Sequence, residues 1–109
     1  MDVGKNRVFF ADKRLEEAFI AVGKRDPMLH KWIAGAIKKL GRDPFSGVAI
    51  RKNMIPKFYG ERRHIDNLWK LNLPGGWRLI YSIVKDDIGI MSIILEWLPH
   101  KKYERRFGY

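Results

Sequence analysis

Cysteine is absent from the chain. That excludes disulfide staples and every thiolate metal site, and it gives no sign of an oxidising compartment. Long hydrophobic runs are missing as well. The longest, "LIYSIV" and "MSIILEWL", are strand-sized and interrupted by serine or glutamate, so no membrane-spanning helix is expected. The stretch "MDVGKNRVFF" lacks the extended apolar segment of a secretory signal, which makes the cytoplasm the expected compartment. No G-x-x-x-x-G-K-[ST] or G-x-G-x-x-G is present, and Ser46 and Ser82 sit in no nucleophile motif. His30, His64 and His100 are far apart without H-x-x-x-H spacing, and Asp86-Asp87 falls in turn chemistry. No metal site and no cofactor are expected.

Acidic residues are in short supply. Twelve stand against 22 lysines and arginines, a net charge of +10, and such an excess attracts polyanions. The excess is also clustered. Residues 51–63, "RKNMIPKFYGERR", carry Arg51, Lys52, Lys57, Arg62 and Arg63 against one glutamate, and the last twelve residues carry Lys101, Lys102, Arg105 and Arg106 against another. Phe58, Tyr59, Tyr103, Phe107 and Tyr109 interleave with these cations. Charge mixed with aromatic rings suits neutralisation of a phosphate backbone together with base stacking.

What remains is enough for one small domain over residues 1–109, since 46% of the residues are hydrophobic and no repeat or low-complexity linker divides them. "RVFFA" (Arg7 to Ala11) predicts a short strand. Asp12 then reads as an N-cap before Leu15, Ala18, Phe19 and Val22, the spacing of a helix with one buried stripe, stopped by Gly23. A second helix starts at Asp26-Pro27 and carries Leu29, Trp32, Ile33, Ala36, Ile37 and Leu40, with Gly41 just after it. From Arg42 to Asp66 the periodicity fails, with turn chemistry in "RDPFSG" and the start of one helical turn at Pro56.

The second half reads as β. "NLWKLNL" alternates, "PGG" turns, and "WRLIYSIVK" returns, with Asn72 opposite Arg78. That register puts Trp69, Leu71, Leu73, Leu79, Tyr81 and Ile83 on a face for the helices, and Lys70, Asn72, Arg78 and Ser82 on the other. After the turn "KDDIG", regular alternation in "IMSIILEWL" would add Met91, Ile93, Leu95 and Trp97 to the buried face, and Ser92 and Glu96 to the polar one. The expected fold class is α+β, a short first strand and a helical hairpin on one side of an antiparallel sheet whose other side is polar and basic. Lys70, Arg78, His100, Lys101 and Tyr103 would gather on that open side. An ammonium, a guanidinium, an imidazole and a phenol suit phosphodiester cleavage in RNA, where the 2′-OH is the nucleophile. Arg78 is the candidate phosphate fork. The bland alternatives are an Arg78–Glu96 pair across the sheet, a solvated Lys70, a His100 at a strand end, and a Tyr103 tucked under the tail.

"NLWKLNLPGGWRLIYSIV" followed by "IILEWLPHKKYERRFGY" resembles the RelE/ParE superfamily of toxin-antitoxin toxins over residues 67–106. The short strand and helical hairpin ahead of it agree in order with that family's RelE-like microbial RNase fold, whereas residues 42–66 match poorly. The resemblance implies an endoribonuclease, an mRNA interferase that works without a metal, in many members inside the ribosomal decoding site, and so inhibits translation. It also implies a cognate antitoxin, and the charge predicts that this partner is acidic or amphipathic. By resemblance Arg78 contacts the scissile phosphate and Lys70 matches a strand lysine. The family's second lysine falls on Asn72, the basic tail residue corresponds to His100 or Lys101, and the tail tyrosine to Tyr103. Two other functions fit the same residues: a ParE-like inhibitor of DNA gyrase, and a basic module that binds nucleic acid without cutting it.

Overall fold

Asp12 and Asp26 each start a helix by accepting a backbone N–H three residues on, from Leu15 and Leu29 respectively. The helices are α1, Lys13–Arg25, and α2, Pro27–Arg42. The computed structural model describes residues 6–63 and 65–108, excepting the side chains of residues 62 and 63. Both helices run past the glycines expected to end them. Gly23 lies inside α1 where a Cβ would meet the His30 ring at 3.1 Å, so its bareness lets α2 approach. His30 uses that proximity to stack on Phe19, centroids 4.2 Å apart. Gly41 sits in the last turn of α2, which Asp43 closes through its N–H to the Lys39 carbonyl.

Among the described residues five strands form one sheet, in the order β1-β5-β4-β3-β2. They are β1 Asn6–Phe10, β2 Val48–Ala49, β3 Trp69–Asn72, β4 Arg78–Lys85 and β5 Ile90–Leu98. Asn72 lies opposite Arg78 as expected. The sheet is mixed, not antiparallel, because β1 pairs with β5 in parallel, Asn6 against Ile90 through Phe10 against Ile94. Both helices and the other three strands lie between β1 and β5 in the chain, far more than the dozen or so residues a parallel pairing needs.

The helical hairpin packs on one face. Its core joins Val22, Leu29, Ile33, Ala36 and Leu40 to Leu71, Leu73, Leu79, Tyr81 and Ile94, with Trp69, Ile83 and Trp97 partly buried against them. On β5 the expected alternation fails. Ile80 faces Glu96 while Tyr81 faces Ile94, so Leu95 is an extra residue, a β-bulge. Trp97 stays with the helices, but Leu95 and Ile93 turn to the opposite side and Ser92 is buried opposite Ile83, away from Arg78. The physical reason is that β5 is central and apolar on both faces, so alternation alone cannot choose its register.

The second face is not an open polar surface either. Tyr59, Leu68, Ile80, Leu95, Leu98, Tyr103 and Phe107 form another buried cluster there. Tyr59 belongs to α3, Lys57–Arg63, which begins directly after Pro56. Tyr103 and Phe107 belong to α4, His100–Phe107. An eight-residue helix is not stable alone in water, so these two aromatic side chains, one turn apart, hold α4 onto the sheet.

Candidate functional site

The row Val48, Lys70, Ile80, Glu96 crosses the second face from β2 to β5, and Asn72, Arg78, Leu98 form the next row. Lys70 and Arg78 are therefore diagonal neighbours on adjacent strands, within reach of one another's ligand for long side chains. Both point at α4. Lys70 Nζ lies 5.0 Å and the Arg78 guanidinium carbon 5.5 Å from the centroid of the Tyr103 ring, a cation–π arrangement. Phe107 stacks on that same ring at 4.6 Å.

Pro74–Gly76 controls where α4 begins. Gly75 and Gly76 adopt φ of 71° and 81°, a region that other residues enter only at a cost. A Cβ on Gly76 would come 3.1 Å from the His100 Cβ, so the bare turn also admits the start of α4. Arg78 is fastened to this turn: Nη1 donates to the Gly76 carbonyl at 2.8 Å and to the Trp77 carbonyl at 3.3 Å. Its buried Nε has no hydrogen-bond partner among the described residues. The expected alternative, a pair with Glu96, does not form, because Glu96 accepts from Tyr59 Oη and from Arg106 Nη1. One end of the guanidinium is thus held by main-chain carbonyls, and among the described residues no acidic side chain pairs with it.

His100 rests against this turn with its imidazole half exposed, and Nε2 lies 3.0 Å from Glu104 Oε2 one turn along α4. Tyr103 differs from expectation. It is 2% exposed, floored by Phe107 and overlaid by two cations, so it supports the cations from beneath and is not a freely accessible phenol. With Tyr103 and Phe107 facing the sheet, the helical period turns Lys101, Lys102 and Arg105 to the solvent side, where all three are exposed.

No protein-family model, curated protein or solved structure matches the chain.

Of the other expected RNA contacts, Arg51 shares a cleft with Lys70 and Tyr103. Asn72 is exposed beside Arg78. Lys52 and Lys57 lie further off, around a separate depression with Ile55, Pro56 and Gly60. The side chains of Arg62 and Arg63, and His64 altogether, lie outside the described residues. Arg106 is not a free cation, since it donates to Glu96 at 2.8 Å and lies over the Phe58 ring at 5.1 Å.

Sequence reasoning missed Glu104 and the Tyr59–Glu96–Arg106 group. Glu104 carries a local signal, because residues four apart such as His100 and Glu104 meet on one face of a helix. Tyr59 and Glu96 are 37 residues apart and carry no local signal. Burial first, then the hydrogen bond to Glu96, raises the Tyr59 phenol well above its ordinary value, so it stays a neutral donor that joins α3 to β5.

Proposed function

We propose that the protein is an endoribonuclease that cuts RNA by attack of a 2′-OH on the adjacent phosphate, acting as an mRNA-cleaving toxin of the RelE/ParE type. One observation carries this: Lys70 and Arg78 converge above the Tyr103 ring while His100, with its imidazole half exposed, stands against the same glycine turn. Arg78, tethered at one end and without an acidic partner among the described residues, holds the phosphate oxygens. Lys70 adds charge for the pentavalent state and the leaving 5′-oxygen, whose proton comes from solvent. His100 removes the 2′-OH proton, and Glu104 orients its ring. Of the three tail candidates, burial disfavours Tyr103 and helical register disfavours Lys101, which leaves His100 with the acid–base role.

The basic surface also favours an antitoxin whose acidic or amphipathic segment covers it. Arg78→Ala is the test. The variant should keep its cooperative unfolding transition and lose about 10²- to 10³-fold in cleavage of a single-stranded transcript, as removal of a charge-stabilising donor does elsewhere. Undiminished cutting by the folded variant refutes the assignment. If wild-type protein leaves RNA intact but stalls gyrase in a supercoiling assay, the ParE-like function replaces this one.

A further inference from the structure

Beside the phosphate-binding cations lies a cleft of about 270 Å³, walled by Val48, Ile50, Arg51 and Met54 and closed by Lys70 and Tyr103. At about 30 Å³ per water in the liquid, this is room for about nine waters. That is ample room for one nucleobase with solvent beside it. Packing against the second core accounts for Ile50 and Tyr103 but not for Val48 or Met54. Val48 is 54% and Met54 38% exposed, so two apolar side chains stand open to water among cations. Among the described residues strand β2, which carries Val48, is an edge of the sheet and pairs with β3. Its outer backbone edge is therefore available to a ligand's donors and acceptors.

We infer that this cleft holds a single unpaired RNA base next to the scissile linkage. Because it takes RNA as the ligand, this role rests on the nuclease reading above. A nucleotide presents an apolar-faced ring attached to an anion. The cleft answers with Met54, whose polarisable thioether packs on ring faces, and with Val48, while Arg51 and Lys70 supply charge and none of the described acidic residues lines it. Lys70 connects the two parts, lining the cleft and lying over Tyr103 with Arg78. A base seated here places its own phosphate at Lys70 and Arg78. Tyr103 cannot be the stacking platform, since Phe107 and the two cations already cover its ring. Double-stranded RNA is excluded in consequence, because a paired base cannot leave the stack to enter without losing its partner.

The test is binding of short single-stranded RNA, 2′-O-methylated throughout so that it cannot be cut, with an abasic residue walked along it. Wild-type protein should show one position at which base removal weakens binding about tenfold, with smaller effects elsewhere, since a stacked base is worth about 1–3 kcal/mol. In Met54→Ala, and separately in Val48→Thr, that penalty should shrink to about twofold or less. Both residues are exposed, so neither change threatens the fold. Equal penalties along the strand, or an unchanged penalty in both variants, overturn the cleft. Cleavage of the unmodified strand is scored separately. Base-dependent binding without cleavage keeps the cleft and removes the nuclease, whereas cleavage without the base-dependent position does the reverse.

Discussion

An alanine at position 47 would put its Cβ 2.5 Å from the Lys70 carbonyl oxygen and 2.6 Å from the Tyr81 hydroxyl. Neither can yield, because the carbonyl lies in β3 and the hydroxyl is held on both sides: it donates to the Pro44 carbonyl at 2.8 Å and accepts from the Gly47 N–H at 3.2 Å. Gly47→Ala should therefore destabilise by about 1–3 kcal/mol, measured by urea unfolding, and a neutral result would mean that the segment 44–47 is not pinned by Tyr81. The same phenol is pushed up to about 12, first by burial and then by Asp43 against the lowering effect of the Gly47 N–H. Tyr59 is raised as well. A folded-state pKa above the unfolded value of about 10 means that the native state keeps its proton longer. The stabilising contribution is complete below about pH 10 and is lost as pH climbs through the folded value. In an alkaline titration followed by phenolate absorbance, Tyr59 and Tyr81 should ionise late and together with unfolding. Tyr59→Phe and Tyr81→Phe should each remove one late step, and four tyrosines titrating as one exposed class would contradict both environments.

At the scale of elements, α4 decides whether a basic tail becomes part of a site. Pro99 gives it no side-chain cap, and its register depends on Tyr103 and Phe107 entering the second core and on Arg106 reaching Glu96. Phe107→Ala should cost about 3–5 kcal/mol, as loss of a buried phenylalanine usually does. It should also lower RNA cleavage at temperatures where the chain remains folded, since His100 and the Tyr103 support move with the helix. Global destabilisation with full activity per folded molecule would show instead that α4 is held by other contacts. Here the sequence was partly legible. Aromatic residues at 103 and 107 and the His100–Glu104 pair carry a helical period, but eight residues after a proline also read as a strand-end tail. The bulge at Leu95 was not legible, because Ile93, Ile94 and Leu95 are equally apolar and only the two cores they enter distinguish them.

For the whole molecule, the +10 charge does not act as a uniform coat. Arg106 is committed to Glu96 and Arg7 to Asp86, whose carboxyl the Arg7 hydrogen bond holds below its usual range. Binding of single-stranded RNA should weaken linearly on a log–log plot against salt, with a slope of about −2 if Arg51, Lys70 and Arg78 each neutralise one phosphate at about 0.7 apiece. Lys70→Ala should reduce the slope by about 0.7, while Lys101→Ala with Lys102→Ala should leave it unchanged; equal effects would mean that charge, not placement, drives binding. The α+β class, the helical hairpin and the Asn72–Arg78 register were decided by the sequence alone, because caps, helical period, strand alternation and a two-glycine turn are local and agree with one another. Tertiary structure alone decided that β1 lies parallel to β5, that the second face is a core, and that His100 lies against the Gly76 turn. Those outcomes depend on which surfaces meet across the fold, and the pattern along a single segment is the same whichever neighbour finally covers it.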